Sequence, residues 1–178
     1  MKNVLIITTS LRTGSNSDIL AQSFKNGAES SGNNVELVSL KNKNISFCRG
    51  CFACQKIGHC VINDDANEIT DKMAQADVIV WATPIYYYEM SGQMKTMIDR
   101  ANSLFSRERN FKDVYILASA DDNDPSTINN AKSGIEGWIK CMKGARFAGS
   151  VFVGGIEEER AIIGNEGLNR AFELGKNV

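Results

Sequence analysis

The sequence has little of what several common kinds of protein need. It has a single histidine, His59, and no Ser–His–Asp or paired-carboxylate arrangement, so hydrolysis by a histidine base is not expected. Its net charge of −1 gives no electrostatic reason to expect a nucleic-acid or acidic-membrane partner. No apolar run approaches the roughly 20 residues needed to span a bilayer, and the first apolar segment is too short for a signal peptide. We therefore expect a cytoplasmic protein.

Two nucleotide-binding motifs are also missing. The pattern GxxxxGK[ST] does not occur, which argues against a nucleoside triphosphatase. The pattern GxGxxG does not occur either, which argues against a dinucleotide fingerprint of the Rossmann type. A phosphate-containing ligand would therefore have to be held by another kind of loop.

What the sequence does have is an alternation of short apolar runs with amphipathic segments. Runs such as NVLIITT and DVIVWAT are typical of strands buried on both faces, and helical spacing appears between them. This alternation predicts a parallel sheet covered by helices on both faces, as one three-layer α/β domain over residues 1–178. The predicted strands are 3–9, 34–40, 77–83, 113–119 and 146–153, and the predicted helices are 15–31, 66–75, 92–105, 125–142 and 167–176.

The loop after the first strand is suited to binding an anion. It reads SLRTGSNS from Ser10 to Ser17 and opens directly into a helix, where free backbone N–H groups and the helix dipole attract a phosphate. A simple helix cap is the competing interpretation, because Ser and Asn are common at such positions. In parallel sheets ligands bind beyond the carboxyl ends of the strands, so the loops after Thr83 and Ser119 belong to the same candidate site.

Two segments together resemble a known family. The sequence ITTSLRTGSNSDIL after the first strand and WATPIYYYEMSGQMKTMIDR after the third are similar, in order and spacing, to the flavin-contacting loops of NADPH-dependent FMN reductases. The resemblance extends from Met1 to about Val153 and is weakest in the last 25 residues. It implies a flavodoxin-like sandwich with a five-stranded parallel sheet in the order 2-1-3-4-5. It also implies FMN as the cofactor and NAD(P)H as the co-substrate.

The resemblance also implies roles for individual residues. Side chains of the first loop would hold the FMN phosphate, the segment after the third strand would line the isoalloxazine ring, and Ser119 would lie on the other side of the flavin. Generic aromatic packing is the alternative for the tyrosines. The cofactor-binding residues expected in this way are Ser10, Arg12, Ser15, Asn16, Ser17, Pro84, Ile85, Tyr86, Tyr87 and Ser119.

Four of the five cysteines lie within a polar segment at about 41–65. Their spacing, CxxCxxCx₅C, begins like the bacterial ferredoxin run but has its fourth cysteine displaced by two residues and no proline after it. In a reducing compartment such a cluster favours metal binding or redox chemistry over a disulfide framework. The expected metal ligands are Cys48, Cys51, Cys54 and Cys60.

This spacing resembles the cysteine motif of the iron–sulfur flavoproteins, a branch of the same family, which implies a possible [4Fe–4S] cluster. Three alternatives stay open: a zinc site that uses these thiolates or His59, a loop of free thiols or a disulfide, and redox chemistry by the thiols themselves. We expect Cys141 to be a buried apolar filler and His59 to be a surface residue.

The functional expectation follows from the resemblance. FMN would carry the chemistry, with no catalytic side chain required, and electrons from NAD(P)H would pass to free flavin, a quinone or a similar small acceptor. One alternative is single-electron exchange with a ferredoxin-like protein through a cluster. Another is a non-enzymatic FMN-binding module with structural zinc. The resemblance also implies a homodimer or homotetramer, with residues 105–110 and the cysteine segment as contact regions.

Overall fold

Five parallel strands form the centre of the computed structural model, which describes residues 1–178. The strands are β1 (Asn3–Thr8), β2 (Asn34–Ser39), β3 (Val78–Tyr86), β4 (Glu89–Met90), β5 (Asp113–Ser119) and β6 (Arg146–Val153). The parallel strands lie in the order β2-β1-β3-β5-β6, and the two-residue antiparallel strand β4 pairs with the end of β3. With β4 set aside, this is the expected order 2-1-3-4-5, and the flavodoxin-like prediction is confirmed.

The apolar runs take the places that the sequence predicts for them. Every residue of β5 is buried, as are the last five residues of β1, because helices cover both faces of the sheet. Strand β2 lies at an edge and is mostly half-buried, in line with its alternating sequence. Strand β3 is longer than expected and continues through Pro84 to Tyr86.

The chain forms six α-helices, and the structure refines the ends of the five that were predicted. The predicted helices 92–105 and 125–142 each combine an α-helix with a 3₁₀ turn, at Ala101–Phe105 and Pro125–Ile128. The cysteine segment, expected to lack regular structure, contains a short helix. None of the helices is long and apolar enough to cross a membrane. The helices are α1 (Asn16–Ser30), α2 (Ala53–Ile57), α3 (Asp65–Gln75), α4 (Gly92–Arg100), α5 (Asn129–Lys140) and α6 (Glu166–Lys176).

The two faces of the sheet have separate cores. On one face, α1 and α6 cover the sheet. Phe24 of α1 packs there against Tyr115 of β5, with ring centroids 5.5 Å apart. Contact between these helices requires Gly27, because a Cβ there would lie 2.0 Å from the carbonyl oxygen of Phe172. On the other face, α3, α4 and α5 pack around Trp81, which is fully buried. The tight α1–α6 contact holds the C-terminal part of the chain against the helix that follows the first loop.

Candidate functional site

A cavity of about 390 Å³ opens at the carboxyl ends of β1, β3 and β5, and we call it the strand-end cavity. The connections from β1 to β2 and from β2 to β3 place those two strands on opposite sides of β1, so this is the switch point of the sheet, where ligands bind in open α/β folds. The structure brings nine of the ten expected cofactor-binding residues to its wall. They are Ser10, Arg12, Ser15, Asn16, Pro84, Ile85, Tyr86, Tyr87 and Ser119.

Ser17 is the expected residue that the structure does not bring to the cavity wall. It is fully buried, and its hydroxyl lies 2.9 Å from the hydroxyl of Ser15. Because that pairing engages Ser15, the N-cap of α1, its side chain caps no backbone N–H of the helix. The first amides of α1 are thus free to receive an anion.

The first loop turns sharply before α1 at Gly14, whose φ of +68° favours glycine. The turn places the buried Ser10 and the N-terminus of α1 on the same side of the cavity. One end of the cavity therefore combines hydroxyls with unpaired amides, which is the chemistry a phosphate group needs.

The opposite wall is a hairpin that joins β3 to β4. Its two turn residues, Tyr87 and Tyr88, have φ values of 49° and 64°, a conformation that two-residue hairpins favour but that tyrosine rarely adopts. Both side chains are largely exposed, and that of Tyr87 is completely so. Generic half-buried aromatic packing, the alternative interpretation of these tyrosines, fits Tyr86 and Tyr88, which are about half exposed, but not Tyr87. The hairpin presents aromatic side chains beside the cavity.

The loop after β6 contributes acidic residues that the sequence interpretation missed. Glu157 and Glu159 line the strand-end cavity, as does Asp121 after β5. Arg12 is tied to this loop, since its Nη1 donates to the Glu157 carbonyl oxygen at 2.8 Å and its Nε lies 3.5 Å from a carboxylate oxygen of Glu159. The rule that pointed to the loops after β1, β3 and β5 applies equally to β6, and the charge run at 157–159 was the available signal.

Asn16 fixes the same acidic loop against α1. Its amide group donates to the carbonyl oxygen of Glu158 at 2.9 Å, and its carbonyl oxygen accepts from the backbone N–H of Ile162 at 3.2 Å. The backbone N–H of Arg160 also donates to the carbonyl oxygen of Gly14 at 3.1 Å. Both the nitrogen and the oxygen of the Asn16 side-chain amide are thus hydrogen-bonded to the backbone of residues 158–162.

A further carboxylate lies in the first turn of α1. Burial raises the pKa of Asp18 to about 6, although the Thr8 hydroxyl and the Lys41 ammonium group oppose the shift. One of its carboxylate oxygens, Oδ1, is buried without a hydrogen-bond partner. The region around the first loop thus contains more negative charge than its sequence motif suggests.

A second cavity, of about 500 Å³, lies beside the cysteine segment, and we call it the cysteine cavity. Its wall includes all four expected metal ligands, Cys48, Cys51, Cys54 and Cys60. Cys141 lines it as well and is exposed, so its expected role as a buried filler is wrong: it follows the last turn of α5 and faces the cavity. All five cysteines of the chain therefore share one cavity.

The thiols do not converge on a single point in this conformation. No group of three or more His, Cys, Asp or Glu side chains lies close enough together to hold a metal ion. Cys54 is buried, whereas Cys48 and Cys51 are exposed, and His59 is on the surface as expected. Binding a metal centre would require the thiols to move towards one another.

The base of the cysteine segment is closed by a buried ion pair. Arg100, at the end of α4, donates to both carboxylate oxygens of Asp64, at 2.6 and 2.8 Å, and both side chains are almost fully buried. The same guanidinium donates to the carbonyl oxygens of Ser46 and Ile62. One cation thus holds the two ends of the segment that carries Cys48–Cys60.

Asp64 is fully engaged at this base. Its carboxylate also accepts from the backbone N–H groups of Ser46 and Ala66, the latter contact capping α3. Burial alone would raise the pKa of Asp64, but the hydrogen bonds from Arg100, Ser46 and Ala66 outweigh it and hold the pKa below its usual value.

The residues that line the two cavities suit the two groups that the resemblance implies, FMN and a thiolate-ligated metal centre. The strand-end cavity fits FMN through its free helix amides, its hydroxyls and its aromatic hairpin, although acidic residues adjoin it. The cysteine cavity fits a thiolate-ligated centre by its donor set, since four thiols share one wall with the guanidinium of Arg100.

Comparison with known proteins identifies a family. The family model described as NADPH-dependent FMN reductase matches residues 2–130. An iron–sulfur flavoprotein of Archaeoglobus fulgidus is 38% identical over 100 residues, which cover 56% of this chain and 45% of that protein. An iron–sulfur flavoprotein of Methanosarcina thermophila is 34% identical over 105 residues, covering 59% and 54%. The chain spans about half the length of these curated relatives.

Solved structures show the same fold over nearly the whole chain. An NAD(P)H:quinone oxidoreductase from Methanothermobacter marburgensis superimposes with a TM-score of 0.74, covering 99% of this chain and 96% of that one. The two sequences are only 16% identical, so this likeness is one of fold alone.

Proposed function

The chain belongs to the NADPH-dependent FMN reductase family, and on that premise we propose that it binds FMN in the strand-end cavity. In this proposal it takes electrons from NAD(P)H and passes them to free flavin, a quinone or a similar small acceptor. The observation that carries the proposal is that nine of the ten residues expected to contact FMN line one cavity at the switch point of the sheet.

The residues have distinct tasks in this proposal. Ser10, Ser15 and the first amides of α1 hold the phosphate, and the hairpin at Pro84–Tyr87 flanks the ring. When bound, FMN supplies hydride acceptance and one- or two-electron transfer. The protein orients the ring and presents backbone amides to its polar edge. No side chain is required as an acid or a base.

Arg12 has to change partners for this role. Its guanidinium contacts the backbone of Glu157 and the carboxylate of Glu159, and both contacts are partly exposed to water. Exposed ion pairs of this kind are worth at most about 1 kcal/mol, so a phosphate dianion can compete for the guanidinium.

The phosphate assignment is tested by FMN titration of the Arg12→Ala/Ser15→Ala variant. We expect its FMN affinity to fall at least tenfold while its riboflavin affinity stays the same, because riboflavin has no phosphate. A matched control, Lys95→Ala/Ser106→Ala, removes similar groups far from the cavity. Unchanged FMN affinity would show that the phosphate lies elsewhere.

The reductase activity is tested by steady oxidation of NADPH and NADH with and without an added quinone. We expect quinone to sustain NAD(P)H oxidation by the FMN-loaded protein. Bound FMN without sustained turnover would instead favour a binding module.

The cysteine cavity supports a second candidate function, which is single-electron exchange between FMN and a ferredoxin-like partner through a [4Fe–4S] cluster. It is favoured by the four thiols on one cavity wall and by the names of the relatives that match the chain. Anaerobically purified protein should then contain iron and acid-labile sulfide, and Cys51→Ser should lose the iron without losing flavin. Zinc without sulfide would favour a structural metal site.

We also propose that the chain assembles into a homodimer or homotetramer. Large apolar side chains are exposed around the cysteine segment, which single soluble chains rarely tolerate as a continuous patch. Light scattering after size-exclusion chromatography would detect a single chain if this proposal is wrong. The exposed side chains are Phe47, Phe52, Ile57, Val61 and Phe105.

A further inference from the structure

Loop closure alone does not explain why a charged side chain, that of Arg100, is buried at this position. Burying a guanidinium and a carboxylate removes their hydration, and an apolar pair of similar volume often stabilises a fold as well or better. The Arg100 side chain is nonetheless 0% exposed and lies at the wall of the cysteine cavity. A positive charge at this place is useful if the cavity holds something negative.

The hydrogen-bonding capacity of the Arg100 guanidinium is not fully satisfied. Its two terminal nitrogens make four hydrogen bonds to Asp64, Ser46 and Ile62, but the buried Nε–H has no acceptor. One donor of the guanidinium is therefore unsatisfied in this conformation. Cys60 lines the same cavity as Arg100.

Other donors already point at sulfur atoms in this cavity. Asn102, in the 3₁₀ turn after α4, places its amide nitrogen 3.4 Å from Sγ of the buried Cys54. The backbone nitrogen of Gly50 lies 3.4 Å from Sγ of Cys48. Hydrogen bonds to ligand sulfurs stabilise negative charge on a metal centre and are one of the levers that set its reduction potential.

We propose that Arg100 is a positioning residue that fixes both ends of the cysteine segment and that, with Asn102, stabilises the reduced state of a thiolate-ligated iron–sulfur centre in the cysteine cavity. The reduced centre has one more negative charge than the oxidised one, so a nearby buried cation and an N–H donor favour reduction. This inference rests on the second candidate function.

The decisive measurement is the midpoint potential of the centre in Arg100→Gln, Arg100→Lys and Asn102→Ala, each reconstituted anaerobically with iron and sulfide. A residue that only closes the loop changes stability and iron content but leaves the potential of the remaining centres alone. Arg107→Gln is the matched control, because Arg107 also reaches the cysteine segment, at the Gly58 carbonyl oxygen, and pairs with Asp71, but at the surface.

We expect Arg100→Gln to lower the equilibrium constant for reduction about tenfold, which corresponds to about 59 mV for one electron. Asn102→Ala should lower it about threefold. Arg100→Lys keeps the charge and should stay within about threefold of the wild type, although it loses the bidentate contact with Asp64. Arg107→Gln should leave the potential unchanged.

Potentials equal to the wild-type value in both Arg100→Gln and Asn102→Ala would overturn the inference while leaving the cluster proposal intact. A wild-type protein that takes up no iron would overturn the cluster proposal, and this inference with it. If Arg100→Gln does not fold, Asn102→Ala decides: a lowered potential supports the inference and an unchanged one overturns it.

Discussion

The two cavities differ in the charge that they present to the groups we propose they bind. The strand-end cavity is to hold a phosphate, yet its neighbours include Glu157, Glu159 and Asp121, and its one arginine is tied to the acidic loop. The cysteine cavity is to hold thiolates, and a buried guanidinium, itself paired with Asp64, lies behind it. One site has exposed ion pairs and acidic neighbours, whereas the other has a buried ion pair at its wall.

Two carboxylates, one near each cavity, also differ in their hydrogen bonding and in the direction of their pKa shifts. Asp64, at the cysteine segment, has hydrogen-bond donors on both oxygens and a lowered pKa. Asp18, near the first loop, has an unpaired oxygen and a pKa raised to about 6. We therefore expect the region around Asp64 to stabilise the fold and the region around Asp18 to cost stability at neutral pH.

Breaking the buried ion pair should have the largest effect. Asp64→Ala leaves Arg100 buried without its partner, which typically costs about 3–5 kcal/mol in the free energy of unfolding. Urea denaturation measures it, and Asp99→Ala, which breaks the exposed Lys95–Asp99 pair, is the control with an expected cost of about 0.5 kcal/mol or less. Equal costs in the two variants would remove the contrast between a buried and a surface pair.

The pH dependence of Asp64 has a definite sign. Because its pKa is lower in the folded state, its contribution is present above the unfolded value of about 4 and is lost as the pH falls through the folded value. The stability of the wild type should thus fall more steeply than that of Asp64→Asn below about pH 4.

Asp18→Asn should act with the opposite sign. A carboxylate whose folded pKa is raised favours folding when protonated, and this contribution is lost as the pH rises from about 4 through about 6. The variant should therefore gain about 1–2 kcal/mol on the wild type between pH 4 and pH 7, since partial exposure screens the full effect. Thermal unfolding at both pH values measures the change, and a difference that does not vary with pH would contradict it.

Removing the acidic loop's charge should improve phosphate binding. In Glu157→Gln/Glu158→Gln/Glu159→Gln, we expect FMN affinity to rise several-fold at low ionic strength, because three negative charges no longer oppose the phosphate and Arg12 loses its ion pairs with Glu158 and Glu159. Fluorescence titration with FMN and riboflavin separates this from a change at the ring. Riboflavin affinity should stay constant, as should FMN affinity in Glu68→Gln/Glu136→Gln/Glu173→Gln. A rise for both flavins would point to loop mobility instead of charge.

The smallest effect should come from the hairpin at the strand-end cavity. Tyr87→Asn/Tyr88→Gly places favoured residues in a turn with two positive φ values and should raise stability by about 1 kcal/mol. Denaturation of the flavin-free protein measures this gain. A loss of stability would mean that the exposed tyrosine rings make stabilising contacts.

Much of the fold could be predicted because β1, β3 and β5 are continuous apolar runs that only a doubly covered sheet can bury. The strand-end cavity could be predicted because its residues follow those strands directly. Ser17 could not be placed, since its direction depends on the pairing with Ser15. The burial of Arg100 could not be predicted either, because a charged residue in the last turn of an amphipathic helix normally faces solvent.

The acidic loop and Cys141 show a different reason for failure. The loop reaches the cavity through hydrogen bonds with Asn16 of α1, which join segments 142 to 146 residues apart. Cys141 faces the cysteine cavity because α5 ends beside the cysteine segment, which is distant in sequence. Neither position follows from local pattern.

The ion pair at the base of the cysteine segment also fixes an order of events. Arg100 lies 36 residues beyond Asp64, so the segment cannot close during synthesis until α4 has emerged and packed. If the cysteine cavity binds a metal centre as we propose, its loading would then follow folding instead of guiding it. A synthetic peptide of residues 46–64 would lack its cation and is therefore a poor mimic of the site.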